Sequence, residues 1–363
     1  MRVLIVFNHP APYKVHIFNE LSKYVDLTVL FERNKAKDRP DSFYIANKYD
    51  FNSITLTDGY VGNEGSLSSG VKDYIRAHYQ EYDQIVMNGY SHFAELLAIK
   101  YMSRHNIPFS LLINGGVIKE NEFVLKRKFK ASYISKAAFY MSPSQMSDEY
   151  LKFYGANKKE IYRYPYSNLS LKDMNLDKVD KDALRDEFNL PKDKYIYINA
   201  CQFIERKNNM QLISLFKNRE EVLVLVGEGP LKSKYEGFIA ENEMKNVIIL
   251  PFMKREELFR LYRACDYFIT LSKTDIFGHT TLEGLANGLP VISSDHVISS
   301  LEYVKNGING YIVHLDNEEE ILNAIDDVKK LSSNNAFESA KSNTFEACGK
   351  RLYEILLMKE NQK

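Results

Sequence analysis

Short apolar runs alternate with stretches whose apolar positions recur every three to four residues along most of the chain. Residues 2–7, 26–31, 84–87, 109–113, 138–142 and 161–164 read as buried strands of the first half. Helical patterns fall between them at 15–23, 71–78, 93–104, 126–135 and 148–154. Such alternation predicts a parallel, doubly wound sheet. From residue 164 to about 182 the chain is polar, rich in Asn, Asp and Lys, and has no clear period until Leu184, which reads as an interdomain linker. Strands then resume at 195–200, 222–227, 247–250, 267–271, 291–293 and 311–313, predicting a second Rossmann-like sheet. Residues 345–358 form an apolar-periodic terminal helix.

The most informative stretch is 267–294, YFITLSKTDIFGHTTLEGLANGLPVISS. Two buried strands flank a helix over 280–287, stopped by Gly288 with Pro290 just beyond. Asp275 falls in the loop leaving the first strand, and Glu283 lies eight positions later on the helix's first turns. Ligands of open α/β sheets bind at the carboxyl ends of the strands, where both acids fall. The helix begins with small or polar residues, Gly278, His279, Thr280 and Thr281, so its first amides can meet a phosphate. A carboxylate at each end with a helix N-terminus between them suits a nucleotide sugar. Glu283 then accepts from the ribose hydroxyls and Asp275 from the sugar, at roughly 1.5–3 kcal/mol per charge-assisted bond. Taken singly, the two are also an ordinary loop acid and a helix acid favoured by the dipole.

This stretch resembles retaining glycosyltransferases of family 4. Their pattern is an acid, seven positions, a Glu, a small-residue helix and a Gly-x-Pro-Val-Ile strand entry. Here it reads D-IFGHTTL-E-GLANGLPVIS, with Asp275 in place of the commoner Glu. The family's next Gly-x-x-Gly strand entry is matched by KNGINGYIV at 305–313. The resemblance covers 195–315 closely and the first half loosely. It implies an α/β GT-B fold, two Rossmann-like doubly wound parallel-sheet domains facing across a cleft. The expected division is an acceptor domain over 1–168 completed by the C-terminal helix 345–363, a linker over 169–190, and a nucleotide-sugar domain over 191–344. Hinge closure would exclude water from the activated sugar.

Relatives usually show Gly-Arg-Leu after the first strand of the second half, with Lys five positions after the Arg. Lys207 matches that Lys, Gln202 stands at the Arg position, and Arg206 is the candidate replacement cation. Gly227 opens the Gly-Glu-Gly-Pro turn that lines the nucleotide cleft in relatives, and Asn114 stands where many carry a His that touches the sugar. A Gly-Gly turn that tolerates Asn explains Asn114 equally well. The resemblance thus assigns catalytic roles to Asp275, Lys207, Arg206 and Asn114. It assigns donor binding to Glu283, Gly278, His279, Thr280, Thr281, Gly227 and Gln202. It implies retaining transfer of a hexosyl-type group from a nucleoside-diphosphate sugar, most simply UDP-linked, to a lipid-linked glycan of a bacterial surface polysaccharide such as capsule or O-antigen. The acceptor attacks on the face the diphosphate leaves, and the diphosphate takes its proton, so no protein nucleophile is required. No well-spaced Asp-x-Asp metal pair is seen, so the expected reaction needs no metal and no bound cofactor. A sugar phosphorylase or nucleotide-sugar epimerase on the same fold, or a noncatalytic scaffold of a glycan-assembly complex, are the alternatives.

Composition narrows this further. The net charge of zero gives no reason to expect nucleic acid as a partner, although residues 1–165 carry +5 and the remainder −5. Cys201, Cys265 and Cys348 have no ligand spacing, and the first two lie beside apolar runs, which suits a reducing cytoplasm. The N-terminal turn NHPAPY lacks Gly-x-Gly-x-x-Gly, which argues against a dinucleotide cofactor; His9 within it is either a substrate contact or structural. The N-terminal apolar run is too short for a signal peptide, and no stretch approaches the roughly 18 apolar residues of a span. Residues 123–136, FVLKRKFKASYISK, interleave five cations with apolar residues and carry no acid. They read as an element that lies on an anionic membrane, or as a solvated helix packed on the sheet. The expectation is a cytoplasmic protein, peripheral on the inner face of the plasma membrane.

Overall fold

The computed structural model describes residues 1–362 apart from 37–43, 45–47, 57–68, 119–121, 175–179 and 276. The chain divides into two units, Met1–Asn168 with Asn343–Lys363, and Leu169–Ser342. In the first unit, β1 (Arg2–Phe7), β2 (Asp26–Phe31), β3 (Asn52–Thr55), β4 (Gln84–Met87), β5 (Ser110–Leu112), β6 (Tyr140–Ser142) and β7 (Ile161–Arg163) form one sheet. Its order is β3-β2-β1-β4-β5-β6-β7, and every pair is parallel. The helices are α1 (Pro12–Ser22), α2 (Gly70–His78), α3 (Phe93–Arg104), α4 (Val124–Ile134) and α5 (Gln145–Phe153). β1 is buried from Val3 to Phe7, as a central parallel strand covered on both faces must be.

The second unit holds α6 (Lys181–Glu187), β8 (Ile196–Ala200), α7 (Asn209–Leu215), β9 (Val222–Val226), α8 (Lys232–Glu241), β10 (Val247–Leu250) and α9 (Arg255–Ala264). It continues with β11 (Tyr267–Thr270), α10 (His279–Ala286), β12 (Val291–Ser294), α11 (Ile298–Tyr303), β13 (Gly310–Val313), α12 (Glu318–Asp327) and α13 (Ser333–Ala340). Its parallel sheet runs β10-β9-β8-β11-β12-β13. Ile196, Ile198 and Ala200 of β8 enter one core while Tyr197 enters the other, so both faces are covered. The last helix, α14 (Phe345–Glu360), returns to the first unit and packs along α1. Gly349 permits this approach, since a Cβ there would lie 2.5 Å from Glu20 Cβ. Tyr353 stacks on Tyr24 at 5.1 Å.

Three local features depart from the sequence reading. β3 was not expected: Asn-Ser-Ile-Thr is short, mostly polar and exposed, as an edge strand can be. Helix α1 starts at Pro12 rather than residue 15, because Pro at the first helical position has its φ already set. The segment 169–190, expected as linker, lies with the second unit where it is described. Leu169 and Leu190 join that unit's core and Leu184 and Phe188 pack against it. Asp180 caps α6 by accepting from the Ala183 amide at 3.0 Å.

Candidate functional site

The strand order of the second sheet reverses between β8 and β11, so the loops leaving these two strands diverge and open a crevice at the carboxyl edge. The loop after β8 carries Lys207 and the loop after β11 carries Asp275, and the two side chains form an ion pair across this reversal point. Both are largely buried. Arg206 stands 3.8 Å from the other Asp275 oxygen while remaining partly exposed. Its guanidinium also donates to the Thr274 carbonyl at 3.3 Å, and the Lys273 amide donates to the Arg206 carbonyl at 2.8 Å. The two loops are therefore joined through backbone as well as charge.

Helix α10 begins beside the same carboxylate. Gly278, at its N-cap, has φ +78°, and a Cβ there would meet Val297 Cγ1 at 2.7 Å and Asp275 Oδ2 at 3.3 Å. Gly278 brings no side-chain acceptor to the first amides of α10. Thr281 is buried, its hydroxyl 2.8 Å from that of Ser300; Thr280 is half-buried, and His279 lies against the Phe277 ring at 5.1 Å. Two cations and a helix N-terminus thus surround one carboxylate. The surplus positive charge in this crevice suits a dianion.

A second constraint comes from backbone approach. Gly227 (φ +148°) follows β9, and a Cβ there would overlap the Cys201 carbonyl oxygen of the neighbouring loop. The Phe203 amide donates to the Glu228 carbonyl at 2.9 Å, and the Leu231 amide to the Phe203 carbonyl at 3.1 Å. Side chains have no room between these loops. Within the first loop, Asn209 is buried, accepts from Asn199 at 2.9 Å and donates to the Cys201 sulfur at 3.3 Å. Burial pushes the Cys201 thiol up, so it is a packing residue. Gln202 is exposed at the rim.

Glu283 is not part of the Lys207–Asp275 cluster. It is buried on α10 and accepts from Arg255 at 3.1 Å, while the same guanidinium reaches Asp173 at 3.2 Å and covers the Phe259 ring at 4.4 Å. The Tyr262 hydroxyl is buried with no hydrogen-bond partner among the described residues. Burial and then the nearby Glu283 charge raise its pKa well above the ordinary value. Sequence reasoning missed Arg255, because a cation at the start of a helix reads as ordinary surface charge.

Asn114 belongs to the first unit. It lines a polar pocket of about 350 Å³ where the first sheet reverses between β1 and β4, together with His9, Asn88, His92 and Glu95. Its amide lies 3.4 Å from Asn88 Oδ1, and Asn88 in turn donates to the Leu112 carbonyl at 2.8 Å. His9 approaches the Tyr44 hydroxyl at 3.1 Å. The basic segment 123–136 differs in detail from its sequence reading. Tyr133 and Ile134 pack inward, whereas Phe123 and Leu125 are 84% and 82% exposed and Val124 and Phe129 are exposed as well. Arg127 stacks over Phe153 and Lys130 pairs with Glu122, and the most exposed apolar residues, Phe123 to Leu125, lie at the start of α4.

Comparison with known proteins bears out the architecture. The Anabaena protein Alr3699/HepE, solved in complex with UDP, superposes with a TM-score of 0.77 at 17% identity over 99% of this chain and 100% of that one. Likeness at this level shows the fold, two Rossmann-like parallel-sheet domains of GT-B type. An uncharacterized glycosyltransferase of Methanocaldococcus jannaschii is 28% identical over 163 residues, 42% of this chain and 46% of its own. The alpha-monoglucosyldiacylglycerol synthase of Acholeplasma laidlawii is 26% identical over 230 residues, 58% of this chain and 53% of its own. The chain thus spans about half the length of these two curated relatives. Among described residues no helix is long and apolar enough to cross a membrane. The part of the chain that holds Lys207, Asp275 and Glu283 lies within residues 180–344, which match the family model described as Glycosyl transferases group 1.

Proposed function

We propose that this protein is a glycosyltransferase that moves a sugar, with retention at the anomeric carbon, from a nucleoside-diphosphate donor to an acceptor hydroxyl. The observation that carries this reading is the Lys207–Asp275 pair across the β8/β11 reversal, beside the first turn of α10. In the bound state, sugar hydroxyls take over Asp275, and the diphosphate takes the charge of Lys207 and Arg206 and the amides of α10. The bond from the anomeric carbon to the diphosphate oxygen breaks as the bond to the acceptor oxygen forms on the same face. The acceptor proton passes to the departing diphosphate. The two side-chain cations and the helix dipole neutralise the leaving group, so no metal is required at the diphosphate. Glu283, steered by Arg255, accepts the ribose hydroxyls. UDP is the favoured carrier, supported by the UDP complex of the structural neighbour.

The acceptor we assign is lipid-linked, in the assembly of a bacterial surface polysaccharide such as capsule or O-antigen, at the inner face of the plasma membrane. Its support is the exposed Phe123-Val124-Leu125 tip of α4 followed by Lys126, Arg127, Lys128 and Lys130. Apolar side chains that reach the acyl boundary, backed by cations at headgroup level, bind anionic bilayers. Cosedimentation with anionic vesicles, released by salt and lost in Phe123→Ser/Leu125→Ser, is expected. Pelleting that ignores lipid charge removes the membrane assignment.

The donor reading is tested by thermal shift against nucleoside diphosphates and their sugars, with and without Mg²⁺. A ligand at about 100 times its dissociation constant stabilises by about 2.7 kcal/mol. One nucleotide should shift the wild type without metal and fail to shift Lys207→Ala. No shift with any nucleotide defeats the reading.

A further inference from the structure

A cluster in the first unit is outside this chemistry. Glu32 is fully buried just beyond the carboxyl end of β2, and His92 and Glu95 approach it from the N-terminus of α3. His92 Nδ1 stands 3.7 Å from Glu32 Oε2 and 3.9 Å from Glu95 Oε1. One ligand atom from each of the three lies within 4.8 Å of the others. These separations are too long for hydrogen bonds. They fit atoms sharing one ion, since ligands about 2.1 Å from a metal stand roughly 3–4 Å from one another.

The surroundings strengthen this. His92 Nδ1 is shielded from solvent, and His92 is the N-cap of α3, held in a capping box with Glu95. Glu95 Oε2 accepts the backbone amides of Ser91 at 2.9 Å and His92 at 3.1 Å, which fixes the carboxylate with Oε1 toward the imidazole. Two carboxylates and an imidazole nitrogen therefore converge, and a shared cation would offset the repulsion between the two buried carboxylates. His92 and Glu95 also line the 350 Å³ pocket, which offers a way in.

We propose that Glu32, His92 and Glu95 bind one divalent transition cation, of the zinc or manganese class. One nitrogen and two carboxylate oxygens suit such an ion, whereas calcium and magnesium favour all-oxygen sets. Buried Arg33 and the N-terminus of α3 add positive charge nearby, so an ion held only by charge is disfavoured. Imidazole coordination is what overcomes this and selects a transition metal. Three protein ligands leave coordination positions for water or for hydroxyls of a molecule in the pocket. All three ligands belong to the first unit, so this site stands whether or not the donor assignment in the second unit holds.

The test uses the full chain, stripped with chelator, then titrated with Zn²⁺ or Mn²⁺ alone and followed by calorimetry and thermal shift. One equivalent should bind and raise Tm. Affinity should fall by at least about tenfold in Glu32→Gln and in His92→Gln and be kept in Lys207→Ala. Co²⁺ substitution of the wild type should give d–d absorption bands of nitrogen–oxygen coordination, a readout that needs no variant to fold. Absence of stoichiometric binding and of those bands overturns the proposal, as do folded variants that bind as tightly as the wild type.

Discussion

Each unit buries a lysine, and the two are treated differently. Lys207, in the second unit, is buried against Asp275 at the sheet reversal, with Arg206 nearby. Lys14, on α1 of the first unit, is fully buried, and its amine makes no hydrogen bond among the described residues. It faces aromatic rings, Tyr166 at 4.6 Å and Phe7 at 5.9 Å, and lies near Cys348 of α14. Burial lowers its pKa from 10.5 to about 7, with Cys348 opposing the shift slightly. A lysine near a carboxylate keeps a charge that a ligand can use. A lysine among rings gives up its charge and becomes a cost of packing. Composition does not separate these roles; the neighbours do.

The comparison can be broken in four places. The largest effect is expected at Gly227→Ala, because the loops of the second unit meet backbone to backbone. Overlap with the Cys201 carbonyl should cost more than about 4 kcal/mol in urea denaturation or prevent folding. Gly237→Ala, in α8 with open space around it, should instead stabilise by about 0.5–1 kcal/mol. Equal stability of the two variants would mean that the loops are not locked.

Lys14→Met comes next. Between pH 7 and 10.5 the unfolded chain holds a proton that the folded chain has released, so wild-type stability should climb across that window. The penalty is greatest below pH 7 and absent above 10.5. Replacement by Met should therefore stabilise on the order of 4 kcal/mol at pH 6 and little at pH 11. A pH slope that persists in the variant rules Lys14 out as its source.

Lys207→Ala should lower kcat about 10²–10³-fold, as removal of a charge that stabilises a leaving group does. Near-normal turnover would remove Lys207 from the mechanism. Glu283→Ala should act mainly on KM for the donor, weakening it by about 1.5–3 kcal/mol per ribose bond lost. An effect on kcat alone would place Glu283 elsewhere.

Strand–helix alternation, the two-sheet plan and the placing of Asp275 and Lys207 at strand ends were legible in the sequence, because hydrophobic period and strand-end position are local properties. Edge strand β3 escaped because a short polar strand carries no apolar signal. The packing of 169–190 on the second unit escaped because scattered Leu and Phe reveal burial only once their neighbours are placed. His92 and Glu95 escaped the sequence reading, because the third member, Glu32, is sixty positions from His92 and only the parallel pairing of the sheet brings it near. The same holds for Arg255 and Glu283, and for Lys14 and Cys348. Local periodicity determined which elements form and which loops end at the carboxyl edge. Tertiary structure alone decided which charges are paired, because pairing depends on distances between residues that chain order does not constrain.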